Sequence, residues 1–267
     1  PSKKSVAEYV LKHYEDIPFK TISQIATLTS TSEATISKLC KELGFNGFAE
    51  LKNLIGQSVN SSLTMNRKLV KVARDLNESS LLESVLDNEI LNIQSTLRNE
   101  ENARLIPKAI SLIDSAKHVY TIGGRTSAFF AGLFAFKLRQ QDINVSHIDW
   151  GIGDYIEKVM MIRPGDLVIA FSFSRFTKNT VKILKLLKEK NVSIILITGE
   201  GLSPAYQYAN LVFVCRTDFL SYVASYTACL SLINAILVAR AVQHKEHVEK
   251  YLSELESNFE LFDIFTD

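Results

Sequence analysis

The sequence predicts two domains of different class: an N-terminal all-α helix-turn-helix bundle and a C-terminal α/β domain built on a five-stranded parallel sheet. Three observations predict it. Residues 1–60 hold short amphipathic helical patterns separated by turn residues, with no strand-like run. Residues 61–80 are polar and carry Arg67, Lys68, Lys71 and Arg74, the composition of a solvated linker with some helix. From residue 102 onward five short apolar runs alternate with helical patterns, the signature of a parallel sheet covered on both faces. The expected boundaries are 1–60, 61–80 and 81–267.

Composition narrows the class further. At 267 residues the chain is long enough for two cores. A formal net charge of +1 gives no global attraction to a polyanion, so any nucleic-acid contact must be a local patch. No apolar run approaches the roughly 20 residues that a bilayer span needs, and the N-terminus lacks an apolar leader core. A cytoplasmic protein without membrane contact is expected. Cys40, Cys215 and Cys229 are odd in number and widely spaced, which suits a reducing compartment and makes no metal motif. His244 and His247 can share a helix face, but no third ligand lies near them and an exposed polar face is the reading. No metal and no cofactor is expected.

Residues 3–15 read as a helix with Val6, Val10 and Leu11 apolar and Pro18 beyond its end. Thr21–Leu28 is a second short helix, with Ile22, Ile25, Ala26 and Leu28 expected to face inward. Thr29-Ser30-Thr31 is a tight turn, and Ser32 or Ser30 caps a third helix, Glu33–Leu43; Ser30-x-x-Glu33 has the form of a capping box. Gly44 stops that helix in the usual C′ position. Two short helices joined this way are the helix-turn-helix pattern, whose second helix enters a major groove. Its outward positions are Thr31, Ser32, Thr35, Ser37, Lys38 and Lys41, while Ile36, Leu39 and Cys40 face the core. Hydroxyls and lysines are apt contacts for phosphates and bases, so these six are the candidate DNA-binding residues. A helical domain that binds a protein or dimerises is the competing reading.

The runs Val6-Ala7-Glu8-Tyr9-Val10, Ile22-Ser23-Gln24-Ile25-Ala26, Ser32-Glu33-Ala34-Thr35-Ile36 and Leu43-Gly44-Phe45-Asn46-Gly47-Phe48 resemble the N-terminal domain of RpiR-type bacterial regulators. The last run, before a helix over Ala49–Gln57, is the most distinctive. The family usually has Arg where this chain has Lys38; Lys keeps the charge and loses the two-pronged fork.

Leu81–Leu97 is amphipathic and either opens the second domain or links two protomers. Helix Ala103–Ser115 leads to strand His118–Ile122, helix Ser127–Gln140 to strand Asn144–Ile148, and a helix over Gly153–Met161 to strand Asp166–Phe171. Helix Lys178–Lys190 leads to strand Ser193–Thr198, and strand Leu211–Cys215 follows Ser203-Pro204. A long apolar helix spans Tyr222–Ala241. His244–Asp267 is amphipathic, with Val248, Tyr251, Leu252, Leu255, Phe259 and Phe262 on one side needing a cover, from a partner protomer or from its own domain.

The stretch from Asp166 to Thr180 carries the chemistry. A buried strand ends in the hydroxyl-rich turn Ser172-Phe173-Ser174-Arg175-Phe176-Thr177, and a helix starts after it. First-turn N–H groups are unpaired and the dipole end is positive, so a phosphate suits that position, with three hydroxyls as further donors. Simple helix capping by the same residues is the bland alternative. The turn resembles the phosphosugar loop of the SIS (sugar isomerase) domain, Ser-x-Ser-Gly-x-Thr: Ser172, Ser174 and Thr177 match, and Arg175 replaces the glycine. The first strand ends in Gly123-Gly124-Arg125-Thr126-Ser127, where the SIS pattern is Gly-x-Gly-x-Ser; Gly123 and Ser127 match and Arg125 replaces the second glycine. A dinucleotide fingerprint G-x-G-x-x-G is absent.

Gly124, Arg125, Ser127, Ser172, Ser174, Arg175 and Thr177 are therefore the candidate effector-binding residues. The two arginines either clamp an acidic phosphosugar or fill the pocket, pairing with Asp149, Asp154 or Glu200 and leaving a dimerisation module. The retained hydroxyls favour the clamp. The resemblance covers nearly the whole chain and implies a DNA-binding transcriptional regulator with operator DNA, a phosphosugar or related acidic small molecule, and a second or further copy of itself as partners. The competing class is a sugar-phosphate isomerase. It needs a positioned base, and Glu157, Glu200 and His147 are the nearest, none in a catalytic motif, so no catalytic residue is assigned.

Overall fold

The computed structural model describes residues 2–14, 16–17, 20–62, 81–200, 203–218 and 224–265. The chain divides into two units, residues 1–71 and 72–267, a division that falls inside the stretch read as a linker. Residues 63–80 of that stretch, with Arg67, Lys68, Lys71 and Arg74, lie outside the described residues.

The first unit holds α1 (Ser2–Lys12), α2 (Ile22–Leu28), α3 (Glu33–Glu42) and α4 (Phe48–Ser62) around Val6, Ile17, Ile25, Ala26, Ile36, Cys40 and Phe48. α4 continues past the expected end at Gln57. Turn chemistry sets the angles. α3 closes with Gly44 at φ 91°; Gly44 N–H donates to Lys41 O and Phe45 N–H to Cys40 O, the paired bonds of a Schellman stop. α2 closes the same way, with Ser30 N–H on Thr27 O and Thr31 N–H on Ala26 O, and Ser30 itself takes the left-handed position at φ 51°.

That geometry corrects two expectations. Ser30 is committed to ending α2, so the cap of α3 is Ser32, whose hydroxyl accepts from Thr35 N–H at 3.2 Å. The capping box lies one helix earlier: Thr21 Oγ1 accepts from Gln24 N–H and Gln24 Oε1 from Thr21 N–H. Leu28, expected inside, is 54% exposed because the helix ends at that residue and turns away from the core.

The second unit begins with α5 (Leu81–Leu97) and α6 (Glu100–Ser115). β1 (Val119–Gly123), α7 (Thr126–Arg139), β2 (Val145–Ile148), α8 (Tyr155–Met161), β3 (Leu167–Ser172), α9 (Lys178–Glu189), β4 (Ser193–Gly199) and β5 (Leu211–Cys215) follow, then α10 (Thr227–Gln243) and α11 (Lys245–Leu261). The five strands form one parallel sheet in the order β2-β1-β3-β4-β5. β1 and β3 each sit one residue later than the alternation of apolar residues suggested, so Ser172 is the last strand residue.

The pleat sorts the core into two layers. Leu167, Ile169 and Phe171 pack with Phe130, Phe134, Leu232 and Ile236 of α7 and α10. Val168 and Ala170 face the other way, onto Val159, Ile183, Leu184 and Leu187 of α8 and α9. α10 buries Cys229, Leu232, Ile233, Ile236 and Arg240. It starts at Thr227 against the expected Tyr222, with residues 224–226 outside the helix and Tyr226, its N-cap residue, packed on Phe130 and Phe173; residues 222 and 223 lie outside the described residues. α10 and α11 meet at a 104° bend, and among the described residues no single helix is long and apolar enough to cross a membrane.

His244 and His247, read as an exposed polar face, both reach aspartates on other elements. His244 Nε2 lies 2.7 Å from Asp114 Oδ2 and His247 Nε2 3.1 Å from Asp142 Oδ2. Asp114 also takes the buried Arg240, which donates to Gln141 as well.

The outer edge of β5 is covered by side chains. Asn102 of α6 accepts from Val214 N–H at 3.0 Å and donates to Val214 O at 2.8 Å and Thr96 O at 3.0 Å; Thr96 Oγ1 accepts from Arg216 N–H. Asn102→Ala removes three of these bonds and strands both polar groups of Val214. Urea unfolding is expected to show a loss on the order of 2–3 kcal/mol; no measurable loss would show that water replaces the amide at this edge.

Candidate functional site

The strand order places a switch point between β1 and β3. The chain leaving β1 enters α7 on one face of the sheet, and the chain leaving β3 enters α9 on the other, so their loops part above the carboxyl ends. Gly123 and Phe171 are register partners, which brings the two loops side by side. They meet where Gly124 faces Thr177. A Cβ built on Gly124 would meet Thr177 Oγ1 at 2.6 Å and its Cγ2 at 2.9 Å. A Cβ on Gly123 would meet the Ser127 carbonyl oxygen at 2.4 Å. Both glycines are needed for space, one to let the next loop approach and one to let the helix start directly.

Ser172 ends β3. Its carbonyl accepts Thr198 Oγ1 at 2.5 Å, which fixes the strand end. By alternation with Val168 and Ala170 its side chain lies on the α9 face of the sheet, and its Oγ is buried without a partner among the described residues. Phe173 points the other way and anchors the loop between Phe130 and Tyr226. Thr177 takes the N-cap position of α9 but makes no capping bond; its hydroxyl pairs with Thr180 Oγ1 at 2.7 Å instead. α9 thus opens with no side chain on its first-turn N–H groups, beside an unpartnered buried hydroxyl. Ser174 is half-buried in the same loop, and Ser127 is buried at the start of α7. Of the expected effector residues, Gly124 and Thr177 lie against each other, and Ser172 leads into the loop that holds Ser174, Arg175 and Thr177.

Arg125 and Arg175 sit in the same two loops, one after Gly124 and one two residues before Thr177. Both have left-handed backbones, φ 57° and φ 61°, and both side chains are exposed. Neither side chain makes a hydrogen bond or ion pair among the described residues, although the Arg125 carbonyl accepts from Ala128 N–H at 3.0 Å. Asp149 accepts from Gly151 N–H at 2.8 Å and Asp154 pairs with Lys158 at 2.9 Å, so the expected alternative in which these aspartates close the arginines down is not what forms.

The three residues considered as isomerase bases lie on separate elements. His147, on β2, packs over Gly132 and holds Thr121 Oγ1 at 3.2 Å; burial lowers its pKa. Glu157 is exposed on α8. Glu200 follows β4, and its carboxyl is pushed up by burial first and by Asp218 second, with Arg216 opposing. Sequence reasoning overlooked a stacked pair next to α9: Trp150 lies 5.1 Å from Tyr155, whose hydroxyl accepts from Asn179 of the first turn at 3.2 Å. The only sequence signal was the lone tryptophan in a loop after a strand.

In the first unit, Ser32, Lys38 and Lys41 are exposed on α3, while Thr31, Thr35 and Ser37 are half-buried. Thr31 hydrogen-bonds Thr29 Oγ1 at 2.8 Å and Thr35 hydrogen-bonds Ser32 Oγ at 2.9 Å, so three of the six expected contacts, Thr31, Ser32 and Thr35, are partly engaged in shaping the helix entry. Lys3 pairs with Glu42 at 2.6 Å; Lys38 and Lys41 form no ion pair among the described residues.

The comparisons agree with both halves. Residues 1–62 match the model of the helix-turn-helix domain of the rpiR family, and residues 112–239 match the SIS domain. An HTH-type transcriptional regulator of Clostridium perfringens is 28% identical over 206 residues, 76% of this chain and 72% of that protein. The sugar isomerase domain of an RpiR transcription factor from Sphaerobacter thermophilus is 27% identical, with a TM-score of 0.63 over 67% of this chain and 99% of that one. The Vibrio vulnificus NanR protein, complexed with ManNAc-6P, shares the fold over 100% of this chain and 95% of its own, with a TM-score of 0.64 at 16% identity.

The two glycines and the two arginines make opposite expectations. Gly123→Ala forces a backbone shift and is expected to cost about 2–4 kcal/mol in thermal or urea unfolding, whereas Arg125→Gly relieves a left-handed backbone and is expected to be neutral or stabilising by about 1 kcal/mol. A destabilising Arg125→Gly would show that the arginine side chain packs in the folded state.

Proposed function

The chain belongs to the RpiR-type regulators, a helix-turn-helix domain joined to a SIS domain, and from that premise we propose how its residues divide the work. It is a DNA-binding transcriptional regulator. α3 is the recognition helix. Ser32 at its start and Thr35, Ser37, Lys38 and Lys41 along its outer side read base edges and phosphates, with Thr31 presented by the turn. The second unit senses a phosphorylated sugar or related anion. Its phosphate rests on the first turn of α9, taking hydrogen bonds from Ser172, Ser174 and Thr177, with Gly124, Arg125, Ser127 and Arg175 on the facing and adjoining loop positions.

The observation that carries this reading is the buried, unpartnered hydroxyl of Ser172 beside an uncapped helix N-terminus. Polar groups in that state are ordinarily satisfied by something, and a phosphate satisfies all of them together. NanR, of the same fold, holds ManNAc-6P, in keeping with a phosphosugar here. We read the chain as a sensor without catalysis, because Glu157, Glu200 and His147 are dispersed over three elements.

A second copy of the chain is the expected partner. A single helix-turn-helix covers one half-site, and a two-fold pair covers a palindrome. On α7, Phe129, Leu133 and Phe136 recur at helical spacing and are exposed, Phe129 by 77%. α11 adds exposed Leu252 and Leu261, and Phe262 follows at its end.

Two measurements test the reading. Thr35→Ala or Lys38→Ala is expected to weaken operator binding at matched salt by on the order of 1–3 kcal/mol, and unchanged binding by both variants would remove α3 as the reader. Sedimentation is expected to show a dimer that Phe129→Asp weakens; a parent that stays monomeric at every concentration contradicts the pairing.

A further inference from the structure

We propose that Arg125 and Arg175 tune this site to a phosphosugar bearing a second acidic group, a carboxylate or another phosphate. This rests on the phosphosugar reading above and goes further, since that reading needs only one phosphate.

Both arginines keep a backbone that glycine adopts without cost: φ is 57° at Arg125, with ψ −125°, and 61° at Arg175. A residue other than glycine is strained in such a backbone. Bulk alone does not explain the cost, because both side chains are exposed rather than packed into the loop. Internal ion pairing does not explain it either, because the guanidinium groups have no partner among the described residues. Two of the acids expected to neutralise them are engaged elsewhere: Asp149 with a backbone N–H, Asp154 with Lys158.

The two loops meet where Gly124 faces Thr177, so both arginines flank the same switch point. Lys178, exposed at the first position of α9, adds a third cation there. One phosphate is already provided for by the Ser172 hydroxyl and the uncapped first turn. Guanidinium groups favour two-point contact with carboxylate or phosphate oxygens. A sugar monophosphate offers hydroxyls beyond its phosphate; a sugar acid phosphate or a bisphosphate offers a second anion for the arginines.

The test is calorimetric titration of the full chain at matched ionic strength with glucose 6-phosphate, 6-phosphogluconate and fructose 1,6-bisphosphate. The proteins are the parent, Arg125→Gly, Arg175→Gly and Ser172→Ala. Glycine suits both backbones, so the arginine variants are expected to keep the fold, and thermal unfolding checks this. The parent is expected to prefer one diacid over glucose 6-phosphate by about tenfold or more, and each glycine variant to lose most of that preference while keeping the monophosphate. Preference for 6-phosphogluconate assigns the second group as carboxylate, and preference for the bisphosphate as phosphate. Equal or tighter binding of glucose 6-phosphate by the parent overturns the proposal, as does a diacid preference that survives in both variants. Binding of glucose 6-phosphate by Arg175→Gly alone would show that the arginine closes the site. Ser172→Ala separates the two readings: it is expected to weaken all three ligands alike. If neither parent nor variants bind any of them, the phosphosugar reading fails, and the arginine proposal with it.

Discussion

The contact between Gly124 and Thr177 is the constraint on which the second unit's function depends. Parallel strands at a switch point send their chains to opposite faces, which leaves a gap above the sheet. The gap becomes a site only when the two loops come close enough to address the same small molecule. Here no side chain on Gly124 and no cap bond from Thr177 allow that approach, and the β1 to β3 register sets it. Phe173, wedged between Phe130 and Tyr226, holds the β3 loop from beneath, while Thr198 holds the carbonyl of Ser172. The loop is thus pinned on both faces, and the buried Ser172 hydroxyl is held without a partner among the described residues. A preorganised, unsatisfied donor is what an anion site requires.

A comparable economy governs the first unit. Two successive helices end with the same pair of backbone bonds, one at Gly44 and one at Ser30. The second fixes where α3 begins. Thr29 and Thr31 then bond across the turn, and Ser32 and Thr35 across the helix entry, so the start of α3 is stiffened by its own hydroxyl residues. Lys38 and Lys41, farther along, form no ion pair among the described residues.

Much of this was legible in the sequence. Five apolar β-branched runs between helical patterns gave the sheet, because burial on both faces of a parallel strand leaves no polar alternation to confuse with helix. Ser172, Ser174 and Thr177 stood out because hydroxyls cluster where a strand meets a helix. Other features were not readable. The left-handed backbones of Arg125 and Arg175 cannot be seen in side chains that ordinarily avoid them. The cap of α3 was ambiguous because Ser30 and Ser32 are the same residue type, and only the bond from Thr31 N–H to Ala26 O decides between them. Leu28 followed the apolar pattern yet lies at the surface, since periodicity carries no information on where a helix leaves the core. The Asn102 bridge to Val214 joins residues 112 apart, a pairing no local pattern encodes.

The central claim is that the first turn of α9 and the loop before it hold a phosphate. Amide NMR of the full chain during titration with glucose 6-phosphate, and with inorganic phosphate alongside, tests it most directly. The amides of Ser174, Lys178, Asn179 and Thr180 are expected to shift first and furthest. Shifts confined to other surfaces, with the amides of residues 172–180 unmoved at saturation, would contradict it.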